Sequence, residues 1–374
     1  WSFSGEGTGS WGIIEGVTYP MHRKTFDRIT LDTLEVTAGG VPVALEPTFL
    51  SNLFAYTAIV PNAVETVDVS AIAQGSTVSI DGGGDAESVS LSEGLNTVDI
   101  SVSSSNAAVP VPGALANPFV VDYTLTIIRI DGSEDYPHRI ATAEQLAAIG
   151  TGNYQLSAHY LLMNDIDLSD YLRSSGATGW DPIGDENHYF SGVFDGNGHA
   201  IQGLVADRSG EDNVALFAGL AGTVENLGLV DIDVRGNDKV GGLAGAIDGG
   251  TITGSYTTGN VTSTGARAGG LAGELASGAV SVSYSTADVN GGADVGGLIG
   301  YIGSGTITEA YAAGAVVGTA NVGGLVGSAS DAATGSFWDT ETSGQDESAG
   351  GSGAVGKSTT DMQTKSTFEA AGWN

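Results

Sequence analysis

The chain has 374 residues, 12 basic and 44 acidic side chains, a formal net charge of -32, 59 glycines and no cysteine. The scarcity of base removes nucleic acid and anionic lipid as partners, and the missing thiols remove disulfides, thiolate-bound metal and cysteine nucleophiles. With 41% apolar and 15% charged residues the chain can still bury a sizeable core.

In chain order, the opening Trp1-Ser2-Phe3-Ser4 has neither a starting Met nor a basic-then-apolar leader, so it reads as a processed or excised piece. Residues 1–29 carry Trp11, Ile13, Ile14, Tyr19 and Pro20 but are too few to enclose a core, so they must pack on something. No apolar run reaches the roughly 20 residues of a membrane span. The acidic excess keeps a glycine-rich surface soluble and gathers screening ions, which fits salty surroundings.

Residues 30–131 read as strands. Apolar side chains alternate with polar ones at Leu34 and Val36, Val67 to Ala71, Val78 and Ile80, Val89 and Leu91, Val98 to Val102, and Tyr123 to Ile127. About seven short strands in this length predict a β-sandwich. Gly82-Gly83-Gly84 and Glu93-Gly94-Leu95-Asn96 are turns, and Pro110, Pro112 and Pro118 mark a long loop before the last strand.

Residues 136–200 change character. Thr142-Ala143-Glu144-Gln145, followed by Leu146 and Ile149, has the spacing of a capping box that opens a short helix. Tyr160 to Leu162 and Ile166 to Leu168 are strand-like, and Asp195-Gly196-Asn197-Gly198 is a tight turn favouring positive φ.

The remainder repeats. Gly-Gly-Leu recurs at Gly241, Gly269, Gly296 and Gly323, spaced 28, 27 and 27 residues apart, with a degenerate copy at Val214 to Phe217. Ile252 and Val261, Val280 and Val289, and Ile307 and Val316 hold corresponding places. Fixed period, short strands and recurrent glycine predict a parallel β-solenoid of about 27 residues per coil. Equivalent residues then lie about 4.8 Å apart. Leu243, Leu271, Leu298 and Leu325 form one inward ladder, and Tyr256, Tyr284, Tyr311 and Trp338 a second, stacked on itself. Glycine either turns corners at unusual φ or admits a close backbone approach. A phosphate cradle is absent, and the glycine content argues against helices.

These motifs resemble a known family. Gly-Gly-Leu-Ala-Gly and Gly-Gly-Leu-Val-Gly, alternating with Ser-Tyr-x-x-Gly-x-Val, are similar to the GLUG repeats of large bacterial surface proteins. The similarity covers residues 136–374 and includes Met163 to Leu168 and Phe194 to His199. It implies a right-handed parallel β-helix of structural or adhesive role, with residues 136–200 as cap and first turns and 201–374 as the repeats. Residues 30–131, from Leu34-Glu35-Val36 to Tyr123 through Arg129, resemble the cadherin-like β-sandwich module of bacterial surface proteins, with an altered turn around Gly39 to Pro47. The acidic calcium motif of true cadherins is absent, so the resemblance does not import calcium.

In GLUG proteins a closing Phe-x-x-x-Gly-Trp precedes a tryptophan-bearing strand and a Tyr-Pro. Here Phe368 to Trp373 ends the chain, while Trp11 to Pro20 begins it. Joining the two ends would restore that junction, so residues 1–29 are expected to complete a solenoid, this chain's own or a preceding copy's, either in an end-to-end array or filament of copies or in a piece cut from a longer chain.

Candidate chemistry is sparse. Asp165, Asp167 and Asp170 are calcium candidates, but the glycine and closing glutamate of a tight calcium loop are missing and turn capping also explains them. Asp195, Asn197 and His199 read as a turn signature rather than acid, orienter and base. Asp231 and Asp233, facing one way on a strand, would suit glycoside hydrolysis if a cleft held them. Arg235 and Lys239 stand near them, although Arg208, Arg235, Lys239 and Arg267 show no common period. The histidines lack zinc-ligand spacing and no nucleophile elbow is present. Threonine rows at Thr251 with Thr253 and Thr306 with Thr308 are broken by Ala279 and Ser281. Tyr171, Trp180 and Tyr189, with His188, are candidate glycan contacts or a cap on the open end of the core.

The expectation is an all-β, extracellular or cell-surface module that is structural or adhesive and non-enzymatic, with no catalytic residue and no cofactor beyond candidate calcium. Its expected partners are copies of itself through solenoid ends and a host or matrix glycan. A β-helix polysaccharide hydrolase or lyase, and a carbohydrate-binding adhesin, are the alternatives.

Overall fold

A computed structural model describes residues 11–12, 21–22, 30–104, 120–174, 176, 178–329 and 332–373. The chain divides into two units, Trp1–Asp131 and Gly132–Asn374. Trp11–Gly12 pairs antiparallel with Met21–His22. The expected role of residues 1–29 otherwise lies outside the described residues, as does the proline-bearing loop at 110–118. Among the described residues no helix is long and apolar enough to cross a membrane.

The first unit is a β-sandwich. One sheet orders strands 41–43, 33–38, 66–72 and 86–90; the other orders 45–46, 55–60, 120–129, 94–104 and 76–80. Period-two alternation turns Leu34, Val36, Val69, Ile80, Ile100, Leu125 and Ile127 into one core. The Tyr123 hydroxyl accepts the Leu31 N–H at 3.0 Å and donates to the Ser51 carbonyl at 2.9 Å. Burial pushes the Tyr123 pKa up.

Two points differ from the sequence reading. Ala55–Val60 is a further strand, with Tyr56, Ala58 and Val60 buried. Gly94–Ser104 begins inside the expected turn at 93–96. There the Asn96 side chain donates back to the Ser92 carbonyl at 2.8 Å while its backbone already pairs with Ile127.

The second unit is a parallel β-solenoid, whose first strand, His138–Ile140, leads into the short helix Ala143–Ala147. Thr142 and Gln145 form the reciprocal capping box there, and Leu146 and Ile149 enter the core. Four sheets follow. The first stacks eight strands from His138–Ile140 to Ala333–Thr334, and the second eleven from Ile166–Asp167 to Ala354–Lys357. The third stacks five from Phe217–Leu220 to Val326–Ser328, and the fourth four from Val240–Gly241 to Ala320–Gly323. Ile252 pairs with Val280 and Val280 with Ile307; Val261 pairs with Val289 and Val289 with Val316. The Leu243, Leu271 and Leu298 N–H groups donate to the carbonyls of Leu271, Leu298 and Leu325, each at 2.9 Å. All four side chains are fully buried. A second, smaller core gathers Ala268, Val289, Val295 and Val316.

The corners are not where the repeated glycines sit. Between the first and second sheets the chain turns through Asn197, Asn226, Gly254, Val282, Glu309 and Gly335, all with φ between 48° and 58°. At the fourth sheet it turns through Asn213, Lys239, Arg267, Asp294 and Asn321. Glycine in Gly-Gly-Leu-x-Gly answers to close approach instead. A Cβ on Gly273 would stand 2.5 Å from the Lys239 carbonyl carbon, and one on Gly300 2.7 Å from that of Arg267. The last glycine of the motif thus leaves room for the left-handed corner of the preceding coil.

The serine of Ser-Tyr has an equally local cause. Ser283 Oγ accepts the buried Ser255 N–H of the preceding coil at 3.1 Å and donates to the Ser281 carbonyl at 2.7 Å. Ser255 does the same for Leu227.

The adjacent residues Val282 and Ser283 therefore carry opposite expectations. Val282→Asn, relieving a half-exposed β-branched residue in the left-handed region, should stabilise the fold by about 1 kcal/mol. Ser283→Ala, orphaning a buried N–H, should cost about 1–3 kcal/mol. Denaturant midpoints at unchanged slope check both.

Candidate functional site

The expected acidic residues are partly or fully exposed on the solenoid. Asp165, Asp167 and Asp170 do not converge. Asp165 Oδ1 accepts the Ala200 N–H at 2.9 Å and lies 3.2 Å from His199 Nδ1 on the next coil. Asp167 Oδ1 caps the Ser169 N–H at 2.8 Å, and Asp170 pairs with Arg173 at 2.7 Å. Among the described residues no group of three or more His, Asp or Glu side chains is gathered as metal ligands. The Ala200 amide foremost, helped by His199, holds Asp165 below the usual carboxylate range. The Ser169 hydroxyl and amide do the same for Asp167.

Asp195, Asn197 and His199 form a turn. Asp195 Oδ1 accepts from the Asn197 N–H at 2.7 Å and from Asn226 Nδ2 at 3.1 Å, while His199 faces Asp165. Asp231 and Asp233 do not lie on one regular strand. The pairing of Gly228–Gly236 with its neighbour shifts register between Leu229 and Ile232, and Asp231 has φ 54° there. Its N–H donates to Thr258 Oγ1 at 3.0 Å, and Asp233 is taken by Arg235 at 3.2 Å. A bulge breaks the alternation that the spacing assumed.

The aromatic candidates separate as well. Trp180 is buried, its Nε1–H donating to the Leu216 carbonyl at 3.2 Å, so its faces are spent on the core rather than on solvent. Tyr171 packs beside it at 6.2 Å. His188 is exposed and pairs with Asp185 at 3.1 Å. Tyr189 lies apart, its ring over Gly219.

Tyr256, Tyr284 and Tyr311 stack nearly parallel, with centroids 5.0 and 4.7 Å apart. They are half-buried on the outside of the second sheet. Burial pushes the Tyr311 phenol up to about 12. Trp338 is not the next rung: Phe337 pairs with Tyr311, and Trp338 pairs with Ala312 and points inward. Ile307 pairs with Ala333 and Leu298 with Leu325 in hydrogen bonding, so the stretch between is one residue shorter in the last coil. A one-residue slip exchanges the two faces of a strand. Phe368 and Trp373 complete this edge, Phe368 meeting Phe337 edge-on at 5.5 Å and Trp373 Nε1–H donating to the Gly335 carbonyl at 2.7 Å.

The last coil is closed by its own chain. Gly324 donates to the Glu347 carbonyl at 3.0 Å, Ala349 to that of Val326 at 3.0 Å and Ala333 to that of Gly350 at 2.9 Å. Strand Ala354–Lys357 pairs with Ser336–Asp339. Ala349 and Ala354 pack on the main core.

One polar cluster escaped the sequence reading. Glu274, outward on the third sheet, receives Lys239 Nζ at 2.9 Å and Arg267 Nη1 at 3.2 Å, with Asp238 3.9 Å from the same guanidinium. The Arg267 guanidinium carbon also lies 5.5 Å from the Tyr301 ring centre. Burial opposes the Lys239 ammonium, but Glu274 outweighs it and raises the Lys239 pKa. The signal was present: Lys239 and Arg267 are 28 residues apart and occupy the same left-handed corner of successive coils. Comparing them with Arg208 and Arg235, which stand elsewhere in the coil, hid it.

Residues 31–130 match the family described as the cadherin-like β-sandwich domain. Two curated proteins are similar over part of the chain. Halomucin of Haloquadratum walsbyi is 38% identical over 139 residues, covering 35% of this chain and 2% of halomucin. A candidate Gly-rich membrane protein of Evansella cellulosilytica is 37% identical over 124 residues, covering 32% of this chain and 14% of that protein. Among solved structures, a candidate immunoglobulin A1 protease from Bacteroides ovatus is 26% identical at a TM-score of 0.48, covering 56% of this chain and 68% of that one.

Carboxylates with lowered pKa stabilise the fold above their unfolded value, and that contribution is lost as pH falls through the folded value. The melting temperature should therefore drop below about pH 4. In Asp165→Asn part of that drop should disappear, as calorimetry across the acid range would show.

Proposed function

We propose that the chain is a non-enzymatic structural and adhesive module of a large secreted or cell-surface protein, with GLUG-type repeats forming a stiff spacer behind a cadherin-like sandwich. The observation that carries this reading is one core running through all coils and plugged at both ends by the same chain, Leu146 and Ile149 at one end and Ala349 and Ala354 at the other. Such a unit transmits force along its parallel hydrogen bonds, and among the described residues its main core is covered at both ends. The plugs favour a spacer joined to its neighbours covalently over a filament whose bare cores abut. The names of the two curated relatives, a halomucin and a membrane protein, support a surface setting. Against hydrolysis, the register shift and the left-handed Asp231 interrupt the strand on which the two aspartates were expected, and Arg235 takes the Asp233 carboxylate.

Sedimentation velocity over a wide concentration range should give one monomeric species, and no reducing ends should appear from a panel of polysaccharides. Concentration-dependent polymers would contradict the spacer reading, and steady sugar release the non-enzymatic one. Because the net charge is -32, raising NaCl from about 0.1 M to about 1 M should raise the thermal midpoint by screening self-repulsion.

A further inference from the structure

We infer that the outer face of the third sheet is a binding strip for an extended, neutral polysaccharide, with Tyr189 as its stacking platform. This rests on the adhesive reading above and adds a ligand class and a place to it.

Tyr189 lies face-down on the sheet. A Cβ added to Gly219 would stand 2.2, 2.3 and 2.5 Å from three consecutive ring atoms, Cδ1, Cε1 and Cγ. Short distances this nearly equal arise above a ring face, not beside its edge. One face therefore covers the Gly219 backbone, and the residue as a whole is partly exposed. The stacked tyrosines of the second sheet differ, because their faces are used on one another.

From Gly219 the register runs to Ala246, Glu274 and Tyr301. At one strand spacing per step, Tyr301 lies about 14 Å from Gly219 along the solenoid. Ala246, between them, is buried, so neighbouring side chains roof the strip at that step. Glu274, its side chain only 12% exposed, lies between Lys239 and Arg267, and the more exposed ends of those two fixed cations supply donors on the same face. Both cations occupy left-handed corners where other coils carry Asn213, Asp294 and Asn321. Long side chains there carry a conformational cost. Their mutual ion pairs hold them in place before any ligand arrives.

The charges select the ligand. Lys239 and Arg267 are balanced by Glu274 and Asp238, so the strip is formally neutral on a chain of net charge -32. A polyanion is repelled and gains no compensating cation, whereas a neutral sugar offers an apolar ring face to tyrosine and hydroxyls to both carboxylate and guanidinium. The site is a line rather than a pocket, so it fits a polymer lying along the coils rather than a single sugar.

Affinity electrophoresis of the full chain in gels containing hydroxyethylcellulose, glucomannan or mixed-linkage β-glucan, with polygalacturonate as the acidic counterpart, tests this. At least one neutral polymer should retard the protein and polygalacturonate should not. Tyr189→Ala and Tyr301→Ala should each weaken retardation by roughly tenfold, the loss expected of one aromatic contact. Gly219→Ala, which evicts the Tyr189 ring without deleting it, should act like Tyr189→Ala. Thr308→Ala, exposed on the first sheet, should change nothing. Melting temperatures identify any variant that fails to fold, and the two tyrosine variants each suffice alone. No retardation by any neutral polymer, retardation by polygalacturonate, or retardation unchanged in Tyr189→Ala would overturn the inference. Any of these would leave the spacer reading standing, since sedimentation and sugar release test that separately.

Discussion

The parallel register between successive coils is the constraint from which the rest of the solenoid follows. Once Leu243 donates to Leu271, Leu271 to Leu298 and Leu298 to Leu325, the residues of a coil are placed above their equivalents except where a bulge or the one-residue slip of the last coil intervenes. Inward leucine meets leucine, and a single coil that could not bury its apolar side becomes one layer of a continuous core. Outward tyrosine meets tyrosine in the same way, which is why three rings stack within a few degrees of parallel. Any chemical group presented once per coil becomes a row.

Stacking backbones this closely leaves little room, and the recurrent motif meets that demand. Glycine appears where a neighbouring carbonyl or corner occupies the space of a Cβ. Corners themselves go to Asn, Asp, Lys, Arg and even Val, because the stacked coil over-determines their φ. Serine appears beside the corner because a buried N–H of the preceding coil would otherwise lack an acceptor. The motif is thus a set of local steric and hydrogen-bonding requirements, repeated.

The period made the solenoid legible, and strand alternation did the same for the sandwich. Both failures of detail are failures of counting. Trp338 stands thirteen residues after Leu325, as Tyr311 does after Leu298, yet Phe337 takes the rung because the last coil pairs one residue short. Asp231 and Asp233 have strand spacing, yet a bulge intervenes. Residue separation is visible in a sequence; hydrogen-bond register is not. The charged strip was hidden for the opposite reason, since its period was present but masked by unrelated cations. The Tyr189 platform had no sequence signal as such, because it depends on Gly219 lying beneath a ring thirty residues away.

Register is also the most direct thing to measure. The native chain has no cysteine, so introduced pairs report without background. Thr253 and Ser281 are paired on neighbouring strands with their hydroxyls 3.1 Å apart, and Thr308 stands one coil further on, opposite Ser281. Thr253→Cys with Ser281→Cys should oxidise to a disulfide within the folded monomer, because neighbouring strands lie within disulfide reach. Thr253→Cys with Thr308→Cys, two coils apart, should remain reduced. Efficient bridging of the second pair but not the first would contradict the coiled register.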